Sequence, residues 1–234
     1  MDSDINTSIG QIFLGGGGGA EDSVLLDKRF LNALKNKKIV YIPIALTPKL
    51  GGYESCFDWI TSTLTNASDD FIEISMWIDL NKKSITDLEN YGGIYIGGGN
   101  TYKLLNHVYK SGFSEVLIEF YNRGGLIYGG SAGAVILGKS ISIVSEENDA
   151  NYKYENGLNL LNDKSVLCHF DKDIKITVEH FIENKRGDVI ALTEKSGLII
   201  SNNNSVESVG FEPVTIYTLS GKDEQLNPGE KSKI

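Results

Sequence analysis

Three times in this chain an apolar run ends in glycines and hands over to a segment of helical character. The junctions are Gly15–Gly19 in "QIFLGGGGGAEDS", Gly97–Thr101 in "YIGGGNTYKLL" and Gly129–Gly133 in "LIYGGSAGAVILG". A strand that turns sharply into a helix needs small residues at the corner, so each junction predicts a strand, a tight loop and a helix in that order. Short apolar or β-branched runs of the kind that form buried strands recur at Gln11–Leu14, Lys38–Ala45, Phe71–Ile78, Gly93–Ile96, Leu126–Tyr128, Val166–Cys168, Val189–Leu192 and Gly197–Ser201. Between the first five lie helical stretches, Ser23–Asn36 with Ser23 as its cap, then Tyr53–Thr63, Ser84–Glu89, Thr101–Ser111 and Phe113–Arg123. This alternation predicts an α/β fold, a doubly wound and mostly parallel sheet with helices on both faces. Beyond Val189 the strands follow one another without helices, at Gly197–Ser201, Ser205–Gly210 and Val214–Leu219, which predicts a mixed or antiparallel region near the C-terminus. No linker or repeat divides the chain, and residues 1–234 are expected to form one domain.

Bulk properties narrow the partners. The net charge of −9 opposes binding to phosphate backbones, so nucleic acid is not an expected partner. No apolar run approaches the roughly 18 residues of a membrane helix, and the amino terminus "MDSDINTSIG" lacks the basic and apolar regions of a secretory signal. The expected location is cytoplasmic, with no membrane partner and with Cys56 and Cys168 reduced. A homodimer is left open.

In sheets of this kind, ligands bind at the carboxyl ends of strands, so the glycine junctions are the places to look for chemistry. At the first junction a dinucleotide site would need an acidic residue at the end of the second strand, and "KIVYIPIALTP" supplies none. No Gly-Lys-Ser/Thr follows either, so no cofactor is expected and Gly15–Gly19 reads as a flexible pocket wall; nothing near Cys56 or Cys168 has metal-site spacing, and no metal is expected. The third junction satisfies G-x-S-x-G. A serine on such a turn projects its hydroxyl above the sheet, while the Ala132 amide can serve as one arm of an oxyanion hole. Ser131 is therefore the candidate nucleophile, against the simpler role of a helix cap. The second junction supplies further amides at a neighbouring strand end. The free amides of Gly98 and Gly99 fall where a second oxyanion donor would have to lie, and Gly98, Asn100 and Thr101 are expected to touch substrate.

A serine nucleophile needs a base, and the chain has three histidines. His107 and His180 lie within helical stretches, whereas His169 ends the strand "SVLCHFD" near where Ser131 emerges, which makes it the candidate base. Glu194, just past Val189–Leu192, is the favoured orienting acid. Glu146, Glu147 and Asp149, in the polar loop after the serine, compete with it, and Asp171 lies too close to His169 in sequence.

The segments "GGGNTYKLL", "GGSAGA", "GLNLLNDKSVLCHFD" and "VIALTEKSGLII", in that order and at these separations, resemble the serine peptidases that include peptidase E (α-aspartyl dipeptidase) and cyanophycinase. The resemblance runs from about Gln11 to Val214. It implies a class I glutamine amidotransferase-like, flavodoxin-like fold and hydrolysis of short peptides through an acyl-enzyme. In it Ser131 is nucleophile, His169 base, Glu194 the orienting acid, and Gly99 and Ala132 the oxyanion donors; some members are argued to use an acid soon after the serine instead. In peptidase E a preference for amino-terminal aspartate is attributed to a basic residue shortly after the catalytic histidine. Here that stretch carries Lys172 and Lys175 but no arginine before Arg186, so Asp-X remains one substrate among several to compare. Which of Lys103, Lys172, Lys175 and Arg186 enters the pocket is open. Two other readings stand beside this one. An α/β-hydrolase-type esterase would place its acid before its histidine, and a non-catalytic α/β protein would bind a small molecule or partner over the same strand ends.

Overall fold

A computed structural model describes residues 9–46, 52–148, 150–184 and 186–234. Among these, six α-helices are α1 (Ala20–Ala33), α2 (Tyr53–Asn66), α3 (Thr101–Lys110), α4 (Phe113–Asn122), α5 (Ala132–Val135) and α6 (Lys175–Glu183). The strands are β1 (Gln11–Gly15), β2 (Lys38–Ile42), β3 (Glu73–Met76), β4 (Gly93–Ile96), β5 (Leu126–Gly130), β6 (Ser165–Leu167), β7 (Val189–Ala191), β8 (Ser196–Ser201), β9 (Ser205–Gly210), β10 (Val214–Tyr217), β11 (Glu224–Leu226) and β12 (Lys231–Lys233). Eight of them form one sheet in the order β12-β9-β8-β1-β5-β4-β2-β3. Its β1-β5-β4-β2-β3 part is parallel, and β8, β9 and β12 extend it antiparallel. The fold is therefore α/β, with the mostly parallel sheet and antiparallel extension that the sequence predicts.

One expectation is corrected. The strands β6 and β7 do not join the main sheet; they pair parallel with each other in a second, four-stranded sheet, β11-β10-β7-β6. Short apolar runs look alike wherever they pair, so their partner is set by tertiary contacts rather than by their own pattern.

Local differences have local causes. Helix α1 begins at Ala20, ahead of Ser23, because Asp22 Oδ2 accepts the Gly19 amide at 3.0 Å and caps the helix one turn early. It ends at Ala33, where Leu34 turns extended. Strand β2 stops at Ile42, before Pro43, which has no N–H to give the ladder. The stretch Ser84–Glu89 forms only a 3-10 turn, Ile85–Leu88, and the helix after Ser131 is a single turn.

The main sheet buries apolar side chains on both faces. One core packs Leu104, Val108, Phe113 and Leu117 of α3 and α4 against Ile94, Ile96 and Ile127. The other packs Leu26, Phe30 and Leu31 of α1 and Ile60 and Leu64 of α2 against Phe13, Tyr41, Tyr95 and Tyr128. A smaller cluster around Val178, Phe181 and Val189 holds α6 to the second sheet.

Candidate active site

The three glycine junctions meet at one edge, around a cavity of about 1030 Å³ that is also lined by Ser131, His169 and Glu194. Ser131 sits between β5 and α5 with φ 50° and ψ −116°, a conformation that L side chains rarely adopt and that typically costs about 1–3 kcal/mol. Neighbouring bonds hold it there: its amide donates to Gly15 O at 3.1 Å, and its carbonyl accepts from Ala134 and Val135. The small flanking residues are a steric requirement. A Cβ at Gly133 would lie 2.2 Å from Ile96 O, and one at Gly129 2.5 Å from Gly133 O.

Ser131 Oγ lies 2.9 Å from His169 Nε2, and His169 Nδ1 lies 3.0 Å from Glu194 Oε1. With the proton on Nδ1, the imidazole donates to Glu194 and accepts from the serine hydroxyl. His169 follows β6 and Glu194 follows β7, so the second sheet supplies these two side chains and the main sheet supplies the serine. His169 also has positive φ, 53°.

The five-glycine run is the surface on which this chain of groups rests. Gly15 O accepts from Ser131 N, Gly16 O accepts from His169 N at 3.0 Å, and Gly18 N donates to Glu194 O at 3.2 Å. Gly17, at φ 106°, faces the imidazole so closely that a Cβ would stand 2.3 Å from His169 Cε1. A flexible wall is therefore not what these residues make. They are fixed by hydrogen bonds to all three segments, and the missing side chains are what let the ring lie against the backbone.

Cys168 lies directly behind, its Sγ 3.6 Å from both Gly15 O and Ser131 O. Burial pushes this thiol up to about 12, so it stays protonated and is no rival nucleophile.

The loop Gly97–Asn100 abuts Ser131: a Cβ at Gly98 would come 3.0 Å from Ser131 Cβ. Gly99, at φ 137°, passes close over Ala45, and Asn100 N donates to Ala45 O at 2.7 Å. Among the described residues, the amides of Gly98, Gly99 and Ala132 donate to no protein group and are available to a ligand. Asn100 caps α3 through Lys103 N and donates its Nδ2 to Glu147 O, both at 2.8 Å. Thr101 is fully buried, so of the expected contact residues it points away from the cavity.

Of the competing acids, Glu146 accepts from the Thr101 amide at 2.5 Å and from Thr101 Oγ1 at 2.9 Å, which ties it to the start of α3 and not to His169. Glu147 lines the cavity without a bond to the imidazole among the described residues. Asp149 lies outside the described residues. Sequence reasoning missed the Glu146 clamp, a pairing across 45 residues with no local signature. His107 lies within α3 and His180 within α6. Among the basic candidates Lys103 lines the cavity; Lys175 pairs with Glu179, and Arg186 with Glu155.

The description of peptidase family S51 matches residues 12–208. The chain belongs to this family. Among curated proteins it is similar to peptidase E of Haemophilus influenzae, 30% identical over 119 residues that span 51% of this chain and 52% of that protein. The chain thus spans about half the length of the first peptidase E relatives it matches. It is also similar to the uncharacterized peptidase Lmo0363 of Listeria monocytogenes, 29% identical over 83% of this chain and 93% of that one. Among solved structures, a peptidase from an acI-B1 Actinobacterium shares the fold, with a TM-score of 0.76 at 19% identity over 97% of this chain and 98% of that one. The S51 match covers both sheets as far as β9, and so includes all three glycine junctions, His169 and Glu194.

Proposed function

We propose that this family S51 member is a serine peptidase that hydrolyses short peptides through an acyl-enzyme. The observation that carries the reading is the unbroken chain Ser131 Oγ, His169 Nε2, His169 Nδ1, Glu194 Oε1, with 2.9 and 3.0 Å contacts. Ser131 Oγ attacks the scissile carbonyl carbon while its proton passes to His169 Nε2. The imidazolium is held by the Glu194 carboxylate, and the oxyanion accepts from the Gly99 and Ala132 amides. Collapse breaks the C–N bond as His169 returns the proton to the leaving amine. Water, deprotonated by the same imidazole, then cleaves the ester and frees Ser131. Ser131 acts here as a nucleophile on a strand-to-helix elbow, for which its positive φ and its place in the cavity wall are the supporting geometry.

Labelling with a fluorophosphonate, followed by peptide mapping, tests this. One adduct on Ser131 is expected, and the Ser131→Ala variant should take no label and lose roughly three or more orders of magnitude in kcat on a dipeptide panel. Equal turnover by Ser131→Ala would refute the mechanism. An unlabelled wild-type protein that still binds peptides would be a binding protein built on the same strand ends.

A further inference from the structure

The glycines that end β1 and β5, and Gly97 just past β4, do more than make room for the serine. A Cβ at Gly15 would lie 3.0 Å from the Tyr128 hydroxyl, one at Gly97 3.2 Å from the Tyr41 hydroxyl, and one at Gly130 3.5 Å from the Tyr95 hydroxyl. Three tyrosine hydroxyls thus come up against three strand-end glycines that carry no side chain, and the glycines and tyrosines alike line the cavity beside Ser131. Tyr95 and Tyr128 stack at 4.3 Å and are held by the core beneath. The sides of this hollow come from the two helices on that face of the sheet, Leu26 of α1 and Cys56 and Trp59 of α2, with Leu46 and Val209 closing it. Trp59 is 41% exposed, an indole lining a cavity that it does not fill. This is a largely apolar, aromatic recess, opening next to the nucleophile.

Its charge is equally one-sided. Among the described lining residues the charged groups are Asp22, Glu146, Glu147 and Glu194 against Lys103 alone, and the Lys103 ammonium donates to Leu46 O at 2.6 Å. Behind the tyrosine floor lies Asp27, 1% exposed, with Oδ2 accepting from Ser23 and the carboxyl beside the Tyr128 side chain. A substrate carboxylate pushed into this recess would give up water for mostly apolar walls among acidic groups, with Lys103, already committed to Leu46 O, the one lysine or arginine among the described lining residues. An aromatic or long aliphatic side chain would exchange water for Trp59, Leu26 and the tyrosine ring edges at no such cost.

We infer that the recess walled by Leu26, Trp59 and the three tyrosines, beside Ser131, receives the side chain of the substrate's acyl residue, and that this residue is a large apolar or aromatic one while aspartate and glutamate are refused. The inference rests on the serine peptidase reading for the position of the scissile bond. Its test is independent of turnover.

Phe-Ala, Leu-Ala, Ala-Ala and Asp-Ala are titrated into the Ser131→Ala protein by calorimetry, and the same four are assayed with the wild type. Phe-Ala is expected to bind at least about tenfold more tightly than Asp-Ala, with kcat/KM in the wild type ranking the same way. Trp59→Ala, a substitution at a position 41% exposed, should remove most of the difference between Phe-Ala and Ala-Ala by raising KM with kcat little changed. Equal or tighter binding of Asp-Ala overturns the inference, and so does a Phe-Ala preference that Trp59→Ala leaves intact. A protein that shows the binding preference but neither turns over any peptide nor takes the fluorophosphonate keeps the recess and loses the peptidase reading.

Discussion

Asp27 is a carboxyl in the wrong solvent: at 1% exposure it faces the buried tyrosines rather than water. Burial raises it from 3.8 to about 6, offset in part by the Ser23 hydroxyl and the nearby Tyr128. A folded-state value above the unfolded one means that folding takes up a proton between the two. The contribution of this group is therefore fully present below about pH 4 and is lost as pH rises through about 6, leaving a penalty of about 3 kcal/mol above that. Asp27→Asn keeps an oxygen for Ser23 and carries no charge to desolvate. Urea unfolding of the variant and the wild type should give similar stabilities near about pH 4, and a variant more stable by about 2–3 kcal/mol near about pH 8. A difference that does not change with pH would show that Asp27 is solvated in the folded protein. The apolar spacing of Leu26, Phe30 and Leu31 marks a helix face in sequence; the burial of Asp27 beside that face is not marked, because it depends on Tyr128 of β5, about a hundred residues away.

At the scale of elements, helix α3 carries on its N-terminus the Gly97–Asn100 loop, proposed to supply an oxyanion amide, and two side-chain interactions set where that loop lies. Asn100 caps the first turn and reaches Glu147 O, while the Glu146 carboxylate takes the Thr101 amide and hydroxyl. A carboxylate at a helix N-terminus gains from the helix dipole as well as from the hydrogen bonds, and charge-assisted bonds of this kind are worth about 1.5–3 kcal/mol each. Glu146→Ala leaves two donors of Thr101 unsatisfied and frees the loop beside Ser131. We expect a stability loss of about 1–3 kcal/mol together with a fall in kcat of about tenfold or more and a smaller change in KM, measured on one dipeptide. Were Glu146 instead the acid of the histidine, Glu194→Gln would be nearly silent, and the 3.0 Å contact to Nδ1 argues that it is not. The elbow was legible because sterics demand small residues on both sides of Ser131. The clamp was not, because Glu146 in "VSEEND" looks like any solvated acid until the fold brings Thr101 to it.

For the whole molecule, the site is a seam between two sheets. The main sheet brings Ser131 and the glycine amides, and the small sheet brings His169 and Glu194 through the ends of β6 and β7. The alternation of apolar runs made the main sheet legible, along with the order of the site residues. It could not separate β6 and β7 from that sheet, since three-residue strands carry no pairing signal of their own. One face of the second sheet joins a large core of the main sheet through Val166, Ile190, Val214 and Ile216, while the other packs on a smaller cluster of Val178, Phe181, Val189 and Tyr217. Regions with little buried apolar surface open first, so loosening the smaller cluster should disturb His169 and Glu194 before it disturbs the main sheet. Phe181, 5% exposed, is the largest side chain of α6 in that cluster, and truncation of a buried phenylalanine costs about 3–5 kcal/mol. In Phe181→Ala the urea midpoint for peptidase activity should fall well below the midpoint for far-UV circular dichroism, which the main sheet and its helices dominate, while in the wild type the two lie closer together. Coincident midpoints in the variant would mean that the two sheets unfold as one unit, and that the seam carrying Ser131, His169 and Glu194 is as stable as the cores on either side of it.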